Sequence, residues 1–197
     1  MSTMSTPTPA AASGASSIRT SREPVQELLN TLFMELFQTE RSADVHSLRE
    51  ADRLGSAPPA LALRGVAAHA QDAMVEIIKL SEALGFADTR VGVGMGSMFS
   101  QVRDGLADHL ISRERSYRAT LLGMRHGQDV VRSVRFVAEA AGELALSSFC
   151  ETWLERRAPL VDGVAAELAW FARNPESALE GGKGAWRARV AGALGLG

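Results

Sequence analysis

The chain has 197 residues, 46% of them hydrophobic and 6% aromatic, with 21 basic against 23 acidic side chains and a formal net charge of -2. That length fits one domain with tails, and the near balance of charge gives no support to a phosphate backbone or an anionic membrane as the main partner. A single cysteine, Cys150, excludes both an internal disulfide and a cysteine-built zinc cluster.

Every stretch long enough to span a bilayer is interrupted by Arg, Asp or Glu. The N-terminal residues also lack the apolar block of a secretory signal, so the expectation is a cytoplasmic protein with no membrane partner. Residues 1–21 are mostly Ser, Thr, Pro, Ala and Gly, with few large apolar side chains and Arg19 as their charge, which predicts a disordered leader. From Pro24 to Leu54 apolar side chains such as Val25, Leu29, Leu32, Phe33, Leu36, Leu48 and Ala51 recur three and four apart, which predicts a first long helix opened by Pro24 and stopped by Gly55.

Pro58 and Pro59 open a second helix through Val66, Ala73, Ile77 and Leu80, ended by Gly85. So short a connection implies an antiparallel hairpin. Residues 86–96 carry Gly92, Gly94 and Gly96, and a short crossing helix is expected from Ser97 to about Leu110. The glycines lack the preceding strand and the Lys-Ser/Thr of a nucleotide loop, so they read as a crossing.

Ser112, with Glu114 and Arg115 after it, starts a third long helix whose stripe is read as Ala119, Leu122, Val130, Val134, Val137 and Ala141. A fourth is expected from Leu144 to Arg173, kinked at Pro159, with Phe149, Trp153, Leu160, Val161, Val164 and Phe171 on one face. The sum is an all-α chain: a helical bundle over residues 22–174, of the connectivity in which two antiparallel pairs are joined by one long crossing. Residues 175–197 read as a flexible, Gly-containing tail. Within it Trp186, Arg187, Arg189, Val190 and Leu194 have the layout of a docking peptide.

Glu40 shares a helical face with Phe33, Leu36, Phe37, Ala43 and Ser47, so its carboxylate turns toward the bundle centre, where a buried acid needs a partner. A metal ion is one candidate. His69 and Asp72 on the second helix, and His126 and Asp129 on the third, repeat the pattern His-small-Gln-Asp at ligand spacing. Helical phase puts His126 at the centre of its stripe and His69 near the edge of its own. The other candidate is a cation. Glu151 and Glu155 project away from the fourth helix's stripe, whereas Arg157 takes the inward phase, where its guanidinium can pair with Glu40 or Asp129. Cys150 reads as a structural thiol, and Arg113, Arg115, Arg118, Arg125, Arg132 and Arg135 form a basic outer face on the third helix that is either solvated or receives an acidic partner.

From Pro24 to Phe171 the chain resembles small bacterial ferritin-like stress proteins of unknown function. The resemblance is carried by Thr39-Glu40-Arg41, by His69 through Asp72, by Leu84-Gly85-Phe86, and by two long closing helices. It implies that Glu40, Asp72, His126 and Asp129 are counterparts of metal-binding positions, with iron or manganese as the ion. The chain departs from that pattern by offering Asp for Glu and by turning Arg157 inward. The expected function is therefore a non-catalytic bundle with a degenerate metal site and no cofactor, acting as a protein-interaction or stress-associated module through a protein partner or self-association. The alternative is an iron- or manganese-binding ferritin-like oxidoreductase or metal-handling protein.

Overall fold

The computed structural model describes residues 16–86 and 111–181, and these fold as helices without a strand. Helix α1 spans Ser16–Leu54, α2 Pro58–Leu84, α3 Arg113–Ala141 and α4 Leu144–Ala166; two short helices, α5 (Leu168–Arg173) and α6 (Pro175–Leu179), follow. No described helix is long and apolar enough to cross a membrane.

Local chemistry accounts for most boundaries. Pro58 and Pro59 sit where their missing N–H groups cost nothing, and Gly85 closes α2 in the left-handed conformation at φ 64° that a side chain would strain. Ser112 accepts from the Arg115 N–H as the N-cap of α3, with Glu114 in the first turn, and Gly142 at φ 81° ends that helix. Two expectations change. The first helix begins at Ser16 and runs through Pro24, so residues 16–21 belong to it and not to the leader. The fourth continues past Pro159 but breaks at Glu167, which separates α5 from α4. Residues 1–15, the Gly92–Gly96 run, the crossing helix expected over 97–110 and the Trp186–Leu194 motif lie outside the described residues.

Cross-helix contacts give the directions. Glu50 meets Ser116 and Glu35 meets His126, so α1 and α3 are antiparallel. His69 meets Arg157 and Asp72 meets Arg156, so α2 and α4 are antiparallel as well. Short turns make α1 with α2, and α3 with α4, antiparallel pairs. It follows that α2 and α3 run in the same direction, and that the chain leaves α2 at one end of the packed helices and enters α3 at the other.

Two apolar clusters form the core. One gathers Leu29, Phe33, Leu36, Ile77, Phe86, Val131, Val134, Leu146 and Trp153; the other gathers Ala51, Leu63, Val66, Tyr117, Leu121, Met124, Val164 and Phe171. Each long helix contributes to both and changes cluster at a polar residue: Glu40 on α1, His69 on α2, Gln128 on α3 and Arg157 on α4, all buried. One polar layer therefore crosses the interior between two apolar ones. At the far end α6 packs Ala178 into the second cluster, and the Glu180 backbone carbonyl accepts from the Arg113 N–H, so residues 175–180 of the expected tail belong to the packed structure.

Candidate functional site

The polar layer is the chemically distinctive part of the interior. Arg157 and Glu40 are each 1% exposed, and Arg157 Nη2 donates to Glu40 Oε2 at 2.6 Å. Arg157 Nε donates to His69 Nδ1 at 2.8 Å, which leaves His69 its proton on Nε2. The guanidinium carbon also lies 4.6 Å from the centre of the Trp153 ring, one turn before it on α4, a cation–π contact in a desolvated setting. Three helices thus converge on one cation, and every recorded partner of that cation is buried.

The electrostatics follow from burial. Desolvation pushes the Glu40 carboxyl above its ordinary range, and the Arg157 charge beside it opposes that shift. Burial lowers the Arg157 pKa in turn, with Glu40 opposing. His69 is lowered to about 4 by burial first and then by the charges of Arg157 and Arg156, against Asp72, so its imidazole is neutral at neutral pH. The buried indole Nε1 of Trp153 lies close enough to Glu40 to favour the carboxylate but stops short of hydrogen-bond geometry.

Of the residues singled out in the sequence, the structure brings together Glu40, His69 and Arg157. The others it separates. Asp129 does not pair with Arg157: its side chain is 74% exposed and holds Arg132 at 2.7 Å. His126 is not central: it is 59% exposed and faces Glu35 on α1 at 3.2 Å. Asp72 is exposed and meets Arg156 at 3.4 Å. The reason is phase. The buried line of α3 is Tyr117, Thr120, Leu121, Met124, Gly127, Gln128, Val130, Val131, Val134 and Ala138. Val130 and Val134 of the expected stripe lie in it, and Val137 and Ala141 pack against it. In the N-terminal half, however, Ala119 and Leu122 are exposed one residue away from the buried Thr120 and Leu121, and each residue of error turns a helix by about 100°. Leu122, an exposed leucine, draws the stripe to the wrong side, and His126 goes with it. His69, placed near an edge by phase, is instead buried on the side of α2 that meets α4.

This donor set does not fit iron or manganese. Among the described residues no three His, Cys, Asp or Glu side chains gather as ligands, and the one buried carboxylate and the one buried imidazole of the proposed set are both engaged by a guanidinium. A divalent cation there would meet a fixed positive charge. Nor does the layer carry an activated nucleophile: Cys150 is buried in the first cluster, and desolvation pushes its thiol up to about 12. What the arrangement can do is fix the register of α1, α2 and α4, because the Arg157 donors find acceptors in a single alignment.

Beside the layer a groove of about 340 Å³ opens between α2 and α4, lined by His69, Asp72, Ala73, Phe149, Trp153 and Arg156 among others. The Arg156–Asp72 pair joins its two walls. The basic face of α3 is largely answered from within the chain: Arg113 pairs with Glu180, Arg118 with Glu114, Arg132 with Asp129, and Arg135 with Glu139 and Glu151. Glu151 and Glu155 are exposed.

No family model, curated protein or solved structure matches this chain. Trp153 and Arg156 escaped the sequence reading as partners of the centre. The signal for Trp153 is its place one turn before Arg157, where an aromatic face and a guanidinium meet.

Proposed function

We propose that this chain is a non-catalytic helical bundle of ferritin-like connectivity, with an internal ion pair in place of a metal centre, and that it acts as a protein-interaction module. The carrying observation is Arg157, a fully buried cation that donates to Glu40 and His69 where a metal would need both as ligands. Connectivity supports the same reading. Two antiparallel pairs with α2 and α3 running in the same direction need one long crossover, the arrangement of ferritin-like bundles. With its buried carboxylate and imidazole both engaged by Arg157, the centre offers no free acid or base to a substrate, and the activity of such a molecule resides on its surface.

Elemental analysis of protein purified after growth with iron and manganese tests this. The reading requires far less than one equivalent of either metal, unchanged by Glu40→Ala. A stoichiometric metal that disappears in Glu40→Ala would overturn it in favour of a metal-handling or redox protein.

A further inference from the structure

On α2 the buried positions Leu63, Ala70 and Ile77 repeat every seven residues, and two residues before each stand Leu61, Ala68 and Val75, about 200° around the helix. These three are exposed, Leu61 at 62% and Val75 at 53%. The charges beside them are arranged symmetrically: Arg64 lies four residues before Ala68 and Asp72 four after it, just as Leu61 lies seven before and Val75 seven after. Helix α1 runs alongside. The Gln71–Asp44 hydrogen bond and the approach of Arg64 to Asp52 place the exposed Leu48 at the level of Ala68, with Val45 next to it.

We infer that this face of α1 and α2 binds a second copy of the same chain, with α2 packed antiparallel to its copy about a two-fold axis at Ala68. The inference rests on the interaction reading and names its partner. A two-fold contact demands a surface complementary to itself, and an antiparallel helix pair gives one only when its sequence reads as a mirror in position and as an opposite in charge. Both conditions hold for the pairs that flank Ala68, although each charge also has a partner in its own chain, Arg64 donating to the Gly55 carbonyl at 3.0 Å and Asp72 meeting Arg156 at 3.4 Å. Leu61 of one copy meets Val75 of the other, Ala68 meets Ala68, and Arg64 stands at the level of Asp72. The small side chain at the axis lets the two helices approach, and the drift of a seven-residue repeat suits a shallow crossing angle. Leu48 and Val45 from both copies then flank the seam on the same side. From Leu61 to Val75 is about 21 Å at 1.5 Å per residue, so two helices offer a contact below the roughly 800 Å² per partner of a standard interface. A contact of that size belongs with weak, reversible association, and micromolar dissociation is the expected outcome.

Sedimentation equilibrium on the full chain, from about 1 to about 200 µM, reads the outcome. Wild type forms a dimer; Leu61→Glu with Val75→Glu weakens it by at least about 100-fold, two charges having to be desolvated in each copy. Arg64→Asp alone weakens it about 10-fold, and Arg64→Asp with Asp72→Arg restores it to within about threefold, because reversal of both charges keeps the match. Ala68→Cys forms a disulfide-linked dimer under mild oxidation and Leu122→Cys does not, Cys150 being buried in both. Circular dichroism shows that each variant is folded. A monomer at the highest concentration, a dimer indifferent to Leu61→Glu with Val75→Glu, or a double charge reversal no tighter than the single one overturns the inference. The interaction reading fails separately, on the metal content of the centre, which the Leu61 and Val75 substitutions do not touch.

Discussion

Replacing Arg157 with Met removes the cation from the interior and leaves Glu40 buried without its charge partner. Breaking a buried pair in this way costs about 3–5 kcal/mol. Both partners are 1% exposed and bonded at 2.6 Å, so the value belongs in the upper half of that range. Loss of the Nε donor to His69, at 2.8 Å, adds about 1 kcal/mol, and loss of the contact with Trp153 about 1 kcal/mol more, partly recovered by packing of the Met side chain. Urea unfolding followed by circular dichroism is therefore expected to show Arg157→Met destabilised by about 5 kcal/mol. Glu40→Leu combined with Arg157→Met leaves no ion to strand, and its stability returns to within about 2 kcal/mol of wild type. The difference is a coupling energy of several kcal/mol. A cost below about 1 kcal/mol for Arg157→Met, or a double variant as unstable as the single, would refute the view that the guanidinium is held inside by Glu40.

Two further outcomes follow from the same interior. His69 titrates near 6.5 when unfolded and at about 4 when folded, so the unfolded chain binds the extra proton first; the stabilisation is complete above about pH 6.5 and disappears as pH falls to about 4, a loss of about 3 kcal/mol. Glu40, raised by burial, titrates in the opposing sense, and Arg156, Arg157 and Asp72 face the imidazole; the measurement is therefore the wild-type stability relative to His69→Asn across that window, and a difference independent of pH would contradict the assignment. Cys150, fully buried with its thiol pushed up to about 12, should resist a disulfide reagent in native buffer and react at once in denaturant. Rapid stoichiometric labelling of folded protein would show that the first cluster is open.

Helix existence was legible because caps and stops are local: Pro58, Gly85, Ser112 and Gly142 stand at the boundaries the structure uses. The inward turn of Glu40 and Arg157 was legible as well, since each lies on a helix whose large apolar neighbours leave little freedom of phase. Helix α3 was legible in its C-terminal half, where Val130 and Val134 are buried as expected, and not in its N-terminal half. There Leu122 faces solvent while Thr120, and Gln128 at mid-helix, turn inside, so side-chain polarity and burial disagree, and a stripe drawn by hydrophobicity alone rotates away from the true one. His69 shows a different gap. Its burial depends on how closely α4 approaches α2, which no repeat within α2 records. The break at Glu167 falls where no Gly or Pro marks it; Tyr117, whose hydroxyl bonds the Val164 carbonyl at 2.8 Å, joins the chain just before that break to α3.

Side-chain NMR of Arg157, labelled with ¹⁵N at Nε, tests the central claim most directly. A guanidinium held between Glu40 and His69 keeps its Nε proton shielded from water, so the signal should persist in heavy water for as long as the slowest core amides, and it should be lost sooner in His69→Leu, which removes the acceptor of that proton. An Nε proton that exchanges at the rate of a surface arginine would contradict it, because the interior would then hold no such cation and the case against a metal would lose its basis.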